Sequence, residues 1–354
     1  MRILIQPYYF WEGHYKDYTN SLSDSNTISI ISSKNNLKKN FISLKPLFLN
    51  YRKNILIFMF SRIFNSLNTI IYLRKYFFNK NIFHFLEFEP ISKILFLLIN
   101  IIFRKKIVFT IHATSISKSQ NIIPNLIKII QRCFFILALL ISNFSNCKFV
   151  VHNKFNIKFL KNFVFRKRIF LIPYPCDIPI TKKKMNNVSK LLVFGQFRED
   201  KQILEVIKNY NLSTMKIIFA GKFYDLKLLN YLKKIKNFKV INEFISTREL
   251  IKLSSKVNYF LIPYGENYSG SAGPMKVSFS MGCPIITSKN KIFSDYIKDK
   301  KLGFFLDENI SNRIENISKK KYQHLTKKCL SYAKNNNWNN FLKKYSKVYK
   351  LLNN

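Results

Sequence analysis

Glycine is scarce in this chain of 354 residues, which has only 8. Three strand-like apolar runs in its second half each end on one. The first is Leu191-Leu-Val-Phe-Gly195-Gln-Phe-Arg198-Glu-Asp-Lys201, a glycine turn followed by two cations before a helix. The second is Ile217-Ile-Phe-Ala-Gly221-Lys222. The third is Phe260-Leu-Ile-Pro-Tyr-Gly265-Glu266-Asn-Tyr-Ser269-Gly270-Ser-Ala-Gly273-Pro274, a small-residue loop that opens an expected helix over Met275–Met281. A glycine-bearing loop before a helix frees backbone N–H groups to hold an anion, and the helix dipole adds roughly half a positive charge there. Arg198 and Lys201 would complete a diphosphate pocket with Gly195, Ser269 and Gly270. One donor aimed at a developing negative charge is worth about 3–4 kcal/mol in a transition state. There is no Asp-x-Asp pair and there are only 18 acidic residues, so neither a metal nor a cofactor is expected.

Of the five histidines, His112 is the first candidate for chemistry, because it ends a strand-like run and precedes the loop Ala113-Thr-Ser. His14 follows Gly13 shortly after the first strand. His84 and His152 read as ordinary strand residues. The five cysteines are far apart and form no C-x-x-C pair, which argues against a disulfide framework or a zinc site and fits a reducing cytoplasm.

These residues need a scaffold, and the pattern supplies one. Strands are expected at Arg2–Gln6, Thr27–Ser32, Ile82–Phe88, Lys106–His112, Lys148–His152 and Ile169–Pro173. Helical stretches lie between them at Ile55–Phe77, Ile91–Phe103, Ile122–Ile141 and Asn153–Phe163. Periodicity lapses around Cys176–Asn187 and then restarts. The second set of strands is expected at Lys190–Phe194, Lys216–Ala220, Lys239–Ile241, Val257–Ile262, Pro284–Thr287 and Gly303–Leu306. Strand–helix alternation implies parallel, doubly wound α/β sheets. The expected organisation is a domain over 1–177, a linker over 178–188, a second domain over 189–325, and helices over 326–354 that pack back toward the first. Ligands bind beyond the carboxyl ends of such strands, so two sheets facing across a cleft would hold a site between them.

Composition is globular, with 47% hydrophobic and 22% charged residues, and the formal net charge is +42. Such a surface attracts anionic bilayers, phosphorylated small molecules and nucleic acid. A solvated surface of biased composition explains it equally well, because the lysines are scattered. No uninterrupted apolar run has the length of a spanning helix. Ile94–Phe103 and Cys133–Ile141 come partway and read as buried helices or as segments dipping into a bilayer interface.

The segment Pro263–Ser288 resembles the nucleotide-sugar signature of glycosyltransferase family 4, with its proline-terminated strand, Ser-Gly loop, helix, Gly-x-Pro and apolar strand. Gly195…Arg198…Lys201 resembles that family's second phosphate-binding stretch, and Trp338–Tyr345 its returning C-terminal helix. Gly13-His14-Tyr15 and Thr110-Ile-His112 resemble its acceptor-side loops. The resemblance implies a GT-B fold of two Rossmann-like domains and a retaining, metal-independent sugar transfer from a UDP- or GDP-sugar. It implies a glycan or polyprenyl-diphosphate-linked acceptor and work at the cytoplasmic face of an anionic membrane. Arg198, Lys201, His112 and Glu266 would be catalytic, and Gly13, His14 and His112 would face the acceptor. Two departures stand out. Val277 occupies the position of the family's second glutamate, and Gln202 stands where a glycine is common. The string Gly273-Pro-Met-Lys-Val is similar to β-mannosyltransferases acting on lipid-linked chitobiose, which implies inversion instead. Two other classes stay open: a GT-B-like scaffold without catalysis, and a basic nucleic-acid-binding protein, for which no recognition motif is present and no specific nucleic acid is expected.

Overall fold

The computed structural model describes residues 1–8, 14–32, 40–46, 55–114, 122–176, 185, 190–197, 201–265, 268, 270 and 272–353. The chain divides into two compact units, Met1–Pro173 with Leu342–Asn354, and Tyr174–Phe341.

The first unit holds the strands β1 (Arg2–Gln6), β2 (Thr27–Ser32), β3 (Phe41–Leu44), β4 (Ile82–Phe85), β5 (Lys106–Ile111), β6 (Cys147–Val151) and β7 (Ile169–Leu171). Their order is β3-β2-β1-β4-β5-β6-β7, and every pair is parallel. Four of its helices are α1 (His14–Leu22), α2 (Ile55–Leu73), α3 (Pro90–Phe103) and α4 (Ile122–Ile141), and α5 (Lys154–Leu160) follows β6. The second unit holds β8 (Lys190–Phe194), β9 (Lys216–Ala220), β10 (Phe238–Ile241), β11 (Tyr259–Ile262), β12 (Ile285–Thr287) and β13 (Gly303–Phe305), ordered β10-β9-β8-β11-β12-β13 and again all parallel. Its helices are α6 (Ile203–Asn209), α7 (Leu226–Lys233), α8 (Thr247–Ser255), α9 (Gly273–Ser280), α10 (Ile310–Glu315) and α11 (Lys319–Asn335). The helix α12 (Trp338–Asn353) follows, and the first unit resumes within it at Leu342.

Both sheets are doubly wound with a reversal of strand order, between β1 and β4 in one and between β8 and β11 in the other. The strands are largely apolar because helices cover parallel strands on both faces. In the first unit, Ile3, Ile5, Phe83, Phe85, Phe109 and Phe149 form one core with residues of α2 to α5. The alternate positions His84 and Thr110 meet α12 on the other face. His84 Nδ1 is hydrogen-bonded to Tyr349 Oη at 2.7 Å and His84 Nε2 to Thr110 Oγ1 at 2.9 Å, and Thr110 Oγ1 continues to Tyr345 Oη at 2.8 Å. Burial lowers the His84 pKa to about 3, so this network holds a neutral imidazole.

Several boundaries differ from those expected. β3 lacked a signal, being four residues of an edge strand with only half-buried side chains. α11 belongs to the second unit, where it packs against α9, so the return begins at Leu342 and not at residue 326. The expected linker lies outside the described residues except Met185, which packs on the second unit's core. Asn125–Phe144 is long and apolar enough to cross a membrane by length and composition, although Lys128 and Arg132 interrupt its apolar run.

One charge sits inside the first core. Lys93 of α3 is 5% exposed, with Nζ 5.0 Å from the Phe109 ring centroid and 5.2 Å from that of Phe135. Burial lowers its pKa to about 8, against the attraction of Glu87 and Glu89. The unfolded chain therefore binds more protons between this value and the ordinary 10.5, so Lys93 adds stability as pH rises through that window. Lys93→Met should raise stability at neutral pH by roughly 1–3 kcal/mol. Urea unfolding should show the variant's advantage shrinking between about pH 8 and 10.5.

Candidate functional site

In the second unit the loops leaving β8 and β11 emerge side by side at the reversal of strand order, where doubly wound sheets bind ligands. The β8 loop begins at Gly195, whose φ is 102°, and its N–H donates to the Ala220 carbonyl at 3.0 Å. At the adjacent end of β9, Gly221 has a φ of 143°, and a Cβ there would lie 2.0 Å from the Gly195 carbonyl oxygen. Only glycine allows this approach.

Lys201 returns over the turn. It is 2% exposed, and its Nζ donates to the Phe194 carbonyl at 2.8 Å. The ammonium lies 4.8 Å from the Phe197 ring centroid and 6.0 Å from that of Tyr264, which belongs to the β11 loop. It is thus a cation set between the two loops, 3.5 Å from where a Gly195 Cβ would be. Pro274, in the first turn of α9, is 3.6 Å from the same point. Ala272 caps α9 without a side-chain hydrogen bond, Pro274 brings no N–H, and the Met275 N–H donates to the Ala272 carbonyl at 3.0 Å, so this helix end favours an anion chiefly through its dipole and the Gly273 amide. Glycine turn, buried ammonium and helix N-terminus therefore meet at one spot, and all three favour an anion.

Gln202 adopts a φ of 46°, the left-handed region. This is the physical reason a glycine suits the position, and a side chain there costs on the order of 1 kcal/mol or more. Its amide packs where a Cβ on Gly265 would be, so it links the two loops. Val277 is buried in α9 and brings no polar atom.

The β11 loop is held from the β12 exit. Asn290 Nδ2 donates to the carbonyls of Gly265 at 2.5 Å and Tyr268 at 3.2 Å. Ser288 Oγ donates to the Tyr264 carbonyl, and Thr287 Oγ1 to that of Ile262 at 3.0 Å. Tyr264 stacks on Tyr268 with centroids 4.0 Å apart, and the Tyr268 hydroxyl lies over Gly270. Sequence reasoning missed Asn290 and Tyr264. Asn290 lies two residues past the motif, and in a chain with 16% aromatics a single tyrosine carries no signal.

In the first unit, His112 follows β5 and lies beside Tyr18 of α1, with ring centroids 5.4 Å apart, and beside His152, at 5.0 Å. His152 Nδ1 donates to the Ile172 carbonyl at 2.8 Å, so its Nε2 is the acceptor for the Tyr18 hydroxyl at 3.3 Å. Burial lowers the His112 pKa to about 4, partly opposed by a hydrogen bond with the Leu86 backbone, and that of His152 to about 3. Both are neutral near pH 7, so His112 can exchange hydrogen bonds with a neighbouring hydroxyl but is a weak base and does not act as a cation. His14 is the first residue of α1, the helix that carries Tyr18. Arg198, Glu266, Ser269 and Gly13, and the side chain of His14, lie outside the described residues.

Residues 261–348 match the family model of the Glucosyltransferase 3-like C-terminal domain, a span that starts within β11 and contains α9 and the β12 exit. The sucrose-phosphate synthase of Thermosynechococcus elongatus aligns with a TM-score of 0.75 and 14% identity, covering 99% of each chain. Anabaena HepE, solved in complex with UDP, aligns with a TM-score of 0.69 and 11% identity over 99% of this chain and 100% of its own. A glycosyltransferase from Rickettsia africae aligns with a TM-score of 0.65 and 15% identity over 99% and 98%. The comparison with curated proteins gives no match. The fold is GT-B, with two Rossmann-like units.

Asn290→Ala should leave the Gly265 and Tyr268 carbonyls without their side-chain donor. The expected loss is about 1–3 kcal/mol in urea unfolding, and Asn290→Asp should not restore it, because a carboxylate cannot donate to a carbonyl.

Proposed function

We propose that this chain is a glycosyltransferase that moves a sugar from a UDP- or GDP-sugar to a glycan or polyprenyl-diphosphate-linked acceptor in cell-surface polysaccharide synthesis. The observation that carries the reading is the meeting of the Lys201 ammonium, the Gly195 turn and the N-terminus of α9 at the end of β8. As the bond to the sugar breaks, negative charge develops on the departing nucleoside diphosphate. A fixed cation and a helix dipole, already oriented, stabilise that charge without reorganisation. HepE has also been solved with UDP-glucose, which supports a nucleotide-sugar donor for the same fold.

Arg198 would join Lys201 on the diphosphate with the Ser269 and Gly270 amides. Glu266 would contact the sugar hydroxyls, and His112, with Gly13 and His14, the acceptor. The neutral imidazole of His112 suits a hydrogen bond that orients an acceptor hydroxyl. Membership of glycosyltransferase family 4, retention of configuration and metal independence belong to the same proposal. The support for metal independence is the positive charge that Lys201 and the α9 dipole already supply at the end of β8. The charge of +42 favours a place on the inner, anionic face of the plasma membrane. Val277 favours one second reading, a GT-B scaffold that has lost catalysis, because no carboxylate stands at that position.

Calorimetric titration with a panel of UDP- and GDP-sugars separates the two. A donor should bind, and Lys201→Met, which keeps the volume of the stem, should weaken binding or kcat/KM by about 10- to 100-fold. NMR of the product should show the donor's anomeric configuration retained. Absence of heat with every donor, in protein whose circular dichroism shows it folded, would sink the donor reading and leave the scaffold.

A further inference from the structure

The helices α2, α3 and α4 form one layer on one face of the first sheet, packed in sequence and sharing one core. The outward side of that layer is apolar. α2 exposes Ile57, Phe60, Phe64 and Ile71, while its inward side mixes the apolar Ile70 and Leu73 with the buried polar Ser61, Asn65, Ser66 and Thr69. Its buried polar groups are hydrogen-bonded within the helix or to Tyr8. Asn65 Nδ2 donates to the Ser61 carbonyl at 2.7 Å, Thr69 Oγ1 to the Asn65 carbonyl at 2.7 Å, and Ser66 Oγ meets the Tyr8 hydroxyl at 2.6 Å. On α3 the exposed stripe is Leu95, Leu98 and Ile101. On α4 it is Leu126, Ile130, Cys133, Leu137 and Leu140, the steps of three and four that mark a single helix face. Contiguous apolar surface on this scale marks an interaction site.

Charge identifies the partner. From Ile55 to Leu86, and again from Pro90 to Cys176, the chain has no Asp or Glu. Four of the most exposed apolar side chains follow or end the helices at one edge of the layer: Phe78 at 84%, Ile102 at 78%, Phe144 at 80% and Phe165 at 61%. Arg74, Lys75, Lys80, Arg104, Lys105, Arg166 and Lys167 stand among them. Apolar wedges between cations fit a surface with hydrocarbon behind a layer of negative headgroups. A second copy of this face would meet it with like charge, and nucleic acid offers nothing apolar to the leucine and isoleucine stripes.

We infer that the outer face of α2, α3 and α4 embeds in the interfacial region of an anionic bilayer. This deepens the membrane placement proposed above and is independent of the donor site. α4 lies along the interface and does not cross it, because Ala138 and Leu139 on its other side are built into the sheet's core.

Cys133 supplies a reporter, since it is exposed on the α4 stripe and the other four cysteines are buried. The full chain, labelled there with a polarity-sensitive thiol fluorophore, should shift to the blue on phosphatidylcholine vesicles containing about 30% phosphatidylglycerol. The combined variant Phe78→Ser, Ile102→Ser, Phe144→Ser and Phe165→Ser should partition at least about tenfold more weakly at about 0.5 M NaCl, where charge is screened. No spectral shift, equal partitioning of the two proteins, or a stable dimer in light scattering that the variant abolishes would each overturn the inference. UDP binding measured on both proteins keeps the two proposals apart. Loss of vesicle binding with UDP binding intact is not unfolding, and absence of UDP binding with vesicle binding intact falls on the donor reading alone.

Discussion

At the ends of β8 and β9 two backbones come so close that a single methyl group would separate them. A Cβ on Gly221 would lie 2.0 Å from the Gly195 carbonyl oxygen, while one on Gly195 would find ordinary contact distances of 3.5 and 3.6 Å. Gly221 is therefore required by space, and Gly195 by its φ of 102°. This approach carries the chain out of β8 in the direction that brings Lys201 back over the turn. With the turn displaced, the ammonium would lose the Phe194 carbonyl and its place between Phe197 and Tyr264. The place of the Lys201 ammonium over the turn thus depends on a steric constraint between two strands more than on any charged pair.

The balance of charge explains much of the remainder. With 60 basic and 18 acidic residues, most cations in this chain cannot find a carboxylate. Among the described residues, the two buried lysines show what replaces it. Lys201 is held by a main-chain carbonyl and aromatic rings, and Lys93 lies against Phe109 and Phe135. A ring face attracts a cation at less desolvation cost to its partner than a buried carboxylate incurs. Glu89 is spent as the N-cap of α3, accepting from the Ser92 amide, and Glu87 pairs with Arg62 at 3.1 Å. These two acids are thereby occupied at the start of α3, and the remainder of the layer from Ile55 to Leu86 and from Pro90 onward to Cys176 has no acidic side chain.

Buried histidines show the same economy of polar groups. His84 and His152 each have both ring nitrogens engaged, His84 with Tyr349 and Thr110, and His152 with Ile172 and Tyr18. Burial keeps them neutral, so they serve as fixed donor–acceptor bridges. His84 ties the last turns of α12 to β4 and β5, and His152 ties α1 to the loop after β7. His112, set between Tyr18 and His152, inherits its position from the second bridge.

The amino-acid sequence by itself determined the parallel, doubly wound architecture. Buried strands of such sheets are short continuous runs, as in Leu191-Leu-Val-Phe and Ile217-Ile-Phe-Ala, and glycines and helical periods punctuate them visibly. It also placed Gly195, Lys201 and the start of α9 in loops at strand ends. That these three touch was decided by the tertiary structure, since strand order and not chain order makes β8 and β11 neighbours. The same holds for Lys201, one cation among 60 until its burial is seen. Asn290 gained its role only when the chain passed beside Gly265. Most of all, α2 carried both a polar and an apolar stripe in its sequence. Periodicity fixes the angle between such stripes, but only packing decides what faces inward, and here Ser61, Asn65, Ser66 and Thr69 are buried beside Ile70 and Leu73 while Ile57, Phe60, Phe64 and Ile71 stay exposed.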